Sequence, residues 1–422
     1  MLNSRVSDQG LAMVDIPVID RAKLVDIDLY GAVKRSPGRC FVDLAQRSPF
    51  YIEAGGVPQA VVSRHEDVKI VLSEPARFSS RKRPWGGTGG FYYYNSLPVV
   101  TDNDPPDHAN LRRLMAPAFS PRKLASVEAG VRSFVATQLD ALQREGRPFD
   151  LVADYAHPLS VHVLFELLFG FPEGEWSIFT RLSDAQKAAF STLDPGPEHV
   201  AEYEAAWEAA RSYCADLIEK RRAAPGEDLA SAIIAAHDVE GRITTEQLFA
   251  TLMVLYSAGI GGIINYTAWT LYLLCRHPDQ RDLLLGDPSL VEGAIVESLR
   301  MSPSVYTALR YATGDFDFEG LHLFEGMPIH VICSAPGYDP GRFENPLRFD
   351  IRRNIDSRDM MAFGYGIHHC IGASLARMTA RISVQAAIER FPGLLLSDPG
   401  VEPDIVGVPK ERGPREIFVR PM

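Results

Sequence analysis

Cysteine is scarce in this chain: five among 422 residues, at positions 40, 214, 275, 333 and 370. The number is odd and no C-x-x-C pair occurs, which argues against a disulfide framework and fits a reducing cytoplasm. Basic residues are outnumbered, 43 against 54 acidic, for a net charge of −11. That balance argues against general nucleic-acid binding, although a local basic face can still dock an acidic protein. No uninterrupted apolar run reaches about 18 residues, so no membrane span is expected. Residues 1–30 are read as an N-terminal extension without a targeting or membrane segment, since "MLNSRVSDQGLAMVDIPVID" holds no apolar core of signal-peptide length. Internal repeats and low-complexity stretches are also missing. "GGTGG" at 86–90 is no phosphate loop, because no Lys-Ser/Thr ending and no helix follow it.

The chain does have an apolar content of 46%, enough for a sizeable core. "FYIEAGGVPQAVVSRHEDVKIVLSEP" reads as two strands and then a helix starting near His65. Helical periodicity dominates from about residue 105 to 310, and "ITTEQLFATLMVLYSAGIGGIINYTAWTLYLL" reads as one long buried helix. "FDFEGLHLFEGMPIHVI" looks like a hairpin followed by a strand. A Pro-rich stretch without periodicity follows, then a last helix, "GASLARMTARISVQAAIERF", and short C-terminal strands. The expectation is a mostly α fold with a small β portion (α+β), one domain over residues 1–422, and a monomer.

"FGYGIHHCIG" spans Phe363 to Gly372. Gly364 and Gly366 permit a tight turn that can approach another flat group closely. Cys370 stands just before a helix start, where backbone N–H donors and the helix dipole favour a thiolate. A buried free cysteine beside two histidines is one alternative, and a zinc site from His368, His369 and Cys370 is another. The segment resembles the cysteine-ligand loop of the cytochrome P-450 haem-thiolate enzymes. Their pattern F-G-x-G-x-H-x-C-x-G is matched at every fixed position by Phe363, Gly364, Gly366, His368, Cys370 and Gly372.

The resemblance continues in order along nearly the whole chain. "ESLR" supplies Glu297 and Arg300, three apart on one helical face. In the family this pair joins an arginine from the irregular stretch before the Cys loop, here Arg353 with Arg352 as a close rival. "DPPDHANLRRLM" points to His108 and Arg112 as contacts to haem propionates, and "ALRYATGDFDFEG" to Arg310, with His368 as a further candidate. The resemblance therefore implies haem b, an axial thiolate from Cys370 and Phe363 beside it, placed between a long central helix and the Cys loop. Where relatives often read A-N-R-D-P, "SAPGYDP" has Gly337 and Tyr338 instead of Asn and Arg, and a local loop effect is expected.

The central helix departs most. Relatives usually read A-G-x-[D/E]-T, in which the acid and the alcohol relay protons. Aligning Ala258 and Gly259 puts Gly261 and Gly262 at those two places, and Asn265 and Thr267 are the nearest polar residues. Three explanations remain: ordered water on the freed backbone, a polar group on the substrate, or a reaction outside the usual oxygen cycle. Peroxide-driven oxidation, phenol coupling and nitrogen-oxide chemistry belong to the third. The expected activity is monooxygenation with O2 and two electrons from a ferredoxin and its reductase, hydroxylating or O-dealkylating a small to medium substrate. A haem protein that binds a ligand or gas without turnover is the competing class. Arg112, Arg113, Arg122 and Lys123 form either a docking face or an ordinary solvated cluster. Trp85, Phe91, Tyr93, Ile260, Val305 and Val406 are the expected substrate contacts, which gives a weak preference for an aromatic substrate.

Overall fold

The structure is a computed structural model. It describes residues 18–27, 29, 37–54, 57–81, 83, 85, 98–171, 174–190, 196–226, 228–239, 241, 243–356, 361–407 and 412–421. Elements follow the chain as α1 (Pro37–Arg47), β1 (Phe50–Ala54), β2 (Val57–Val62), α2 (His65–Ser73), β3 (Phe78–Ser79), α3 (Asp107–Met115) and α4 (Pro121–Glu145). Next come β4 (Phe149–Asp150), α5 (His157–Val161), α6 (Ser177–Phe190), α7 (Pro197–Ala223), α8 (Leu229–Asp238), α9 (Thr245–Ser257), α10 (Ile260–Arg276), α11 (Pro278–Gly286) and α12 (Val291–Met301). The chain closes with β5 (Ala308–Ala312), β6 (Phe316–Phe318), β7 (Leu321–Leu323), β8 (Pro328–Val331), α13 (Ala373–Arg390), β9 (Leu395–Leu396), β10 (Ile405–Gly407), β11 (Arg412–Pro414) and β12 (Phe418–Arg420). The α+β reading holds, with strands gathered near the two ends of the chain.

Local sequence explains the long helices. In α4 the Ser120 hydroxyl accepts from the Lys123 amide, Pro121 opens the first turn, and Gly146 closes the helix at φ 60°. Leu124, Val127, Val131, Val135, Leu139 and Leu142 then form a buried stripe at helical spacing. Thr244 and Gln247 form a reciprocal capping box at the start of α9.

The five-stranded sheet has the order β1-β2-β8-β5-β3, with β2 and β8 parallel and the other pairs antiparallel. It carries Arg310, opposite Ile329, into the interior. The main core runs through α4, α9, α10, α12 and α13, and a second core lies under the sheet.

The central run is not one helix. It breaks at Ala258 and Gly259, between α9 and α10. Periodicity continues across the break, so the hydrophobic pattern alone could not show it. Residues 245–276 are long and apolar enough to cross a membrane, yet α10 is packed in the protein core along almost its whole length.

Candidate active site

Cys370 owes its position to two glycines. Gly364 and Gly366 sit at φ 70° and 68°, a region that side chains rarely enter. A Cβ on Gly366 would also run into the Leu72 carbonyl. The turn they make lets the Cys370 amide donate to the Phe363 carbonyl at 2.8 Å, and α13 begins three residues later. The thiol is exposed, at the positive end of an 18-residue helix. Phe363 is buried beside it, edge-on to Tyr266 at 5.2 Å, with the Arg377 guanidinium 5.0 Å from its ring.

Buried basic groups gather next to this loop. His108 is 3% exposed, and its ring stands edge-on to His368 at 4.4 Å. Its Nε2 is buried without a hydrogen-bond partner. Burial holds its pKa below the ordinary value, and the Arg112 and Arg310 cations push the same way. Arg310 is 6% exposed and donates to the Leu309 carbonyl at 2.8 Å. Burial also lowers the Arg112 pKa, an effect that the Cys370 sulfur opposes. Among the described residues, neither Arg112 nor Arg310 makes an ion pair with an acidic side chain. Buried positive donors in such a cluster are costly unless an anion joins them. An iron porphyrin with two carboxylates fits both requirements, a thiolate ligand and cationic donors at its edge.

His368 is held differently. Its Nε2 lies 2.8 Å from the Ser80 hydroxyl, and the Ser80 amide donates to Asp104 Oδ1 at 2.9 Å. Ser80 and Asp104 were not singled out from the sequence, and no spacing rule connects them to residue 368. His368, His369 and Cys370 do not converge as zinc ligands; His369 instead lies 6.2 Å from the Phe363 ring. Among the described residues, no cluster of three His, Cys, Asp or Glu could hold a metal ion.

Behind the loop, Glu297 accepts from Arg300 Nε at 2.7 Å and Nη2 at 2.8 Å. Arg353 Nε reaches the same carboxylate at 3.2 Å, whereas Arg352 is exposed, its amide turned to Asp350. Arg300 also donates to the carbonyls of Gly337, Pro346 and Arg348. Gly337 stands so close that a Cβ would collide with the Arg300 carbonyl. The Tyr338 ring lies 5.8 Å from the Arg300 guanidinium and its hydroxyl donates to Met301. Gly337 and Tyr338, the departure noted in the sequence, thus wrap this arginine.

The cytochrome P450 family model matches residues 29–284 and 285–405. The chain belongs to the cytochrome P450 family. Mycinamicin IV hydroxylase/epoxidase of Micromonospora griseorubida is 34% identical over 349 residues, covering 80% of this chain and 83% of that protein. The P450 monooxygenase PikC of Streptomyces venezuelae is 37% identical over 344 residues, covering 80% and 79%. Among solved structures, myxobacterial CYP267B1 in complex with myristic acid superposes with a TM-score of 0.83 at 27% identity, covering 93% and 98%. HinD with NMFT and NO gives 0.79 at 32%, covering 90% and 95%. As a P450 the protein is a monooxygenase-type oxidoreductase, and its cofactor is haem b with an axial cysteine thiolate.

Glycines stand at both positions where the family resemblance places the relay pair, at the start of α10. Ala258 is exposed at the break, Gly259 and Gly262 are half-exposed, and Gly261 is buried. A Cβ on Gly262 would meet nothing nearer than Tyr266 Cε2 at 3.9 Å. Asn265 is not free to take over: its Nδ2 donates to the Arg412 carbonyl at 3.1 Å, and Gly413 is pressed against the same amide. Thr267 bonds Ser383 at 3.2 Å.

One expected substrate contact is corrected. Trp85 is 5% exposed in the sheet core, and its Nε1 donates to the Pro58 carbonyl at 2.8 Å. Ile260 is buried in the helical core, and its carbonyl accepts from the Ser160 hydroxyl. Phe91 and Tyr93 lie outside the described residues. Val305 and Val406 are half-buried. Their segments meet α10 where Arg412 takes the Ser304 carbonyl on one side and Asn265 on the other. The basic cluster also divides: Arg113 and Arg122 are exposed, Lys123 Nζ is 3.5 Å from the Leu167 carbonyl, and Arg112 is half-buried.

Proposed function

We propose that this P450 uses O2 and two electrons from a ferredoxin and its reductase to hydroxylate or O-dealkylate a small to medium organic substrate. Protons arrive by a route that uses neither an acid nor an alcohol on the central helix. The observation that carries this reading is the orphaned His108 Nε2 beside Arg112 and Arg310, next to an exposed cysteine at a helix start. When bound through a thiolate, haem supplies O–O cleavage, because the thiolate pushes electron density toward the iron.

The chain's own residues take the following parts. Cys370 provides the sulfur, and the first turn of α13 stabilises its negative charge. His108, Arg112 and Arg310 hold the two carboxylates, with His368 set in place by Ser80. Phe363 fixes the loop by packing against Tyr266 and Arg377. Gly261 and Gly262 leave room for water or a substrate hydroxyl beside the helix backbone. Val305 and Val406 contribute apolar wall. Exposed Arg113 and Arg122 belong to the face that receives an acidic electron donor. The whole of 1–422 works as one monomeric unit in the cytoplasm.

Three relatives support an oxygenase: a mycinamicin IV hydroxylase/epoxidase, a 6-deoxyerythronolide B hydroxylase and a nocardicin C N-oxygenase. The glycine pair favours a second reading, peroxide or nitrogen-oxide chemistry, and the structure of HinD was determined with NO.

The test has two arms. Reduced protein with CO should absorb near the wavelength that names the family, and Cys370→Ala should abolish that band. Retention of the band in Cys370→Ala would refute the ligand assignment. A spectral screen of aromatic ethers, phenols and macrolactones, followed by NADH-driven turnover with ferredoxin and reductase, should give oxygenated product in proportion to NADH. Formation of peroxide alone, with every binder left unoxidised, would favour the second reading.

A further inference from the structure

The break between α9 and α10 is held from behind by a single segment. Ser160, fully buried at the end of α5, donates its hydroxyl to the Ile260 carbonyl at 2.8 Å. Four residues on, Leu164 places Cδ1 and Cδ2 at 3.0 and 3.1 Å from where a Cβ on Gly259 would stand. A wide π-helical turn, His162–Leu168, begins between the two, and such turns often mark functional places. A serine within a helix commonly bonds a carbonyl one turn back in its own helix; Ser160 reaches across to another element instead.

This clasp has a role because the relay side chains are missing. Over its first turn α10 offers no side-chain oxygen or nitrogen, and Asn265 and Thr267 are committed to Arg412 and Ser383. What the break itself offers is backbone: the Ala258 amide still donates to the Val254 carbonyl at 2.9 Å, and the Ile260 carbonyl takes the Ser160 hydroxyl. Glycine leaves that backbone freer than any other residue would. Its geometry must therefore be set by neighbours, and the hydrogen bond from Ser160 and the slot formed by Leu164 are the contacts that set it.

We infer that Ser160 is a positioning residue for proton delivery: its hydroxyl fixes the Ile260 carbonyl, and with it the helix break whose backbone organises the protons. The inference rests on the monooxygenase reading above. O2-driven O-dealkylation consumes two electrons and two protons from outside and yields alcohol, aldehyde and water. With hydrogen peroxide the oxidant carries both electrons and both protons with it. The first reaction must draw both protons from outside along the route, whereas the second needs only a proton shift between the two oxygens of its oxidant and so leans on the route less.

Ser160→Ala should therefore keep the CO band and the spectral binding of 7-ethoxycoumarin. Amides of 260–264 should exchange roughly fivefold faster with deuterium, and product formed per NADH should fall roughly fivefold, as expected for one lost buried hydrogen bond. Peroxide-driven dealkylation of the same probe should fall clearly less than the O2-driven reaction. Ser160→Thr, which keeps the hydroxyl, should recover the O2-driven yield. Unchanged exchange would overturn the clasp. Faster exchange with an equal loss in both reactions, or with no loss in either, would reduce Ser160 to a structural residue and overturn its role in proton delivery. A wild-type protein that oxidises NADH but oxygenates none of the compounds that bind in the spectral screen, with either oxidant, would overturn the proposed oxygenation reaction, and the inference with it.

Discussion

Removing the Glu297 carboxylate should cost more stability than almost any other single change at the haem loop. Glu297 has a side chain 1% exposed, and Arg300 is 0% exposed. The carboxylate accepts from two Arg300 nitrogens, from Arg353 Nε and from the Asp350 amide. Glu297→Ala leaves Arg300 wholly buried without its counter-charge, a change worth about 3–5 kcal/mol. Unfolding entropy averages roughly 2.1 cal/mol/K per residue, so 422 residues give about 0.9 kcal/mol/K. The melting temperature should then fall by about 3–6 °C. Arg353→Ala should cost less, about 1–3 kcal/mol or 1–3 °C, because Arg353 is partly exposed and water reaches the groups it leaves. Arg352→Ala should be silent within about 0.5 kcal/mol. The measurement is a thermal scan of the haem-loaded protein at one fixed rate, followed by absorbance and by circular dichroism. Equal losses for Arg352→Ala and Arg353→Ala would refute the reasoning, since Arg353 reaches Glu297 and the carbonyls of Glu344, Asn345 and Arg348, whereas the exposed Arg352 side chain does not.

Three other outcomes are expected. Gly262→Ala should stabilise by up to about 1 kcal/mol, since the helix gains a better former and space is open; Gly259→Ala should destabilise, because the Leu164 methyls must give way, and urea midpoints moving in the same direction would contradict this. Burial pushes the His330 pKa down to about 4 from 6.5, with Nε2 on Gln59 Oε1 at 2.6 Å. The unfolded chain then binds the proton first, so stability is full above pH 6.5 and falls between 6.5 and about 4; His330→Gln should flatten the melting profile across that window, and an unaltered slope would count against it. Trp85→Phe should lower the melting temperature by about 1 °C through loss of the Pro58 hydrogen bond, while spectral substrate dissociation constants stay unchanged; a weakened dissociation constant would restore Trp85 to the pocket.

Local rules were legible because their causes are local. The turn at Gly364 and Gly366 and a cysteine placed before a helix need only neighbouring residues. Glu297 and Arg300 face each other because three residues make nearly one helical turn. Trp85 misled because an aromatic beside a glycine-rich run looks like a substrate contact, whereas its indole finds a carbonyl 27 positions away. Gly337 was expected only to alter its own loop. It proved to be the one residue small enough to lie against the Arg300 carbonyl.

By itself the sequence determined the family, the mostly α composition, and the glycines at 259, 261 and 262 of the central run. Tertiary structure alone decided that the central helix breaks at Ala258 and Gly259. It also committed Asn265 to Arg412, set Ser80 on His368, and brought Ser160 to the Ile260 carbonyl across 100 residues. The physical reason is range. Propensity, capping and turn chemistry act within a few residues, and a motif can record them. A hydrogen bond between distant elements depends on how whole helices pack, and no local pattern in either partner encodes it.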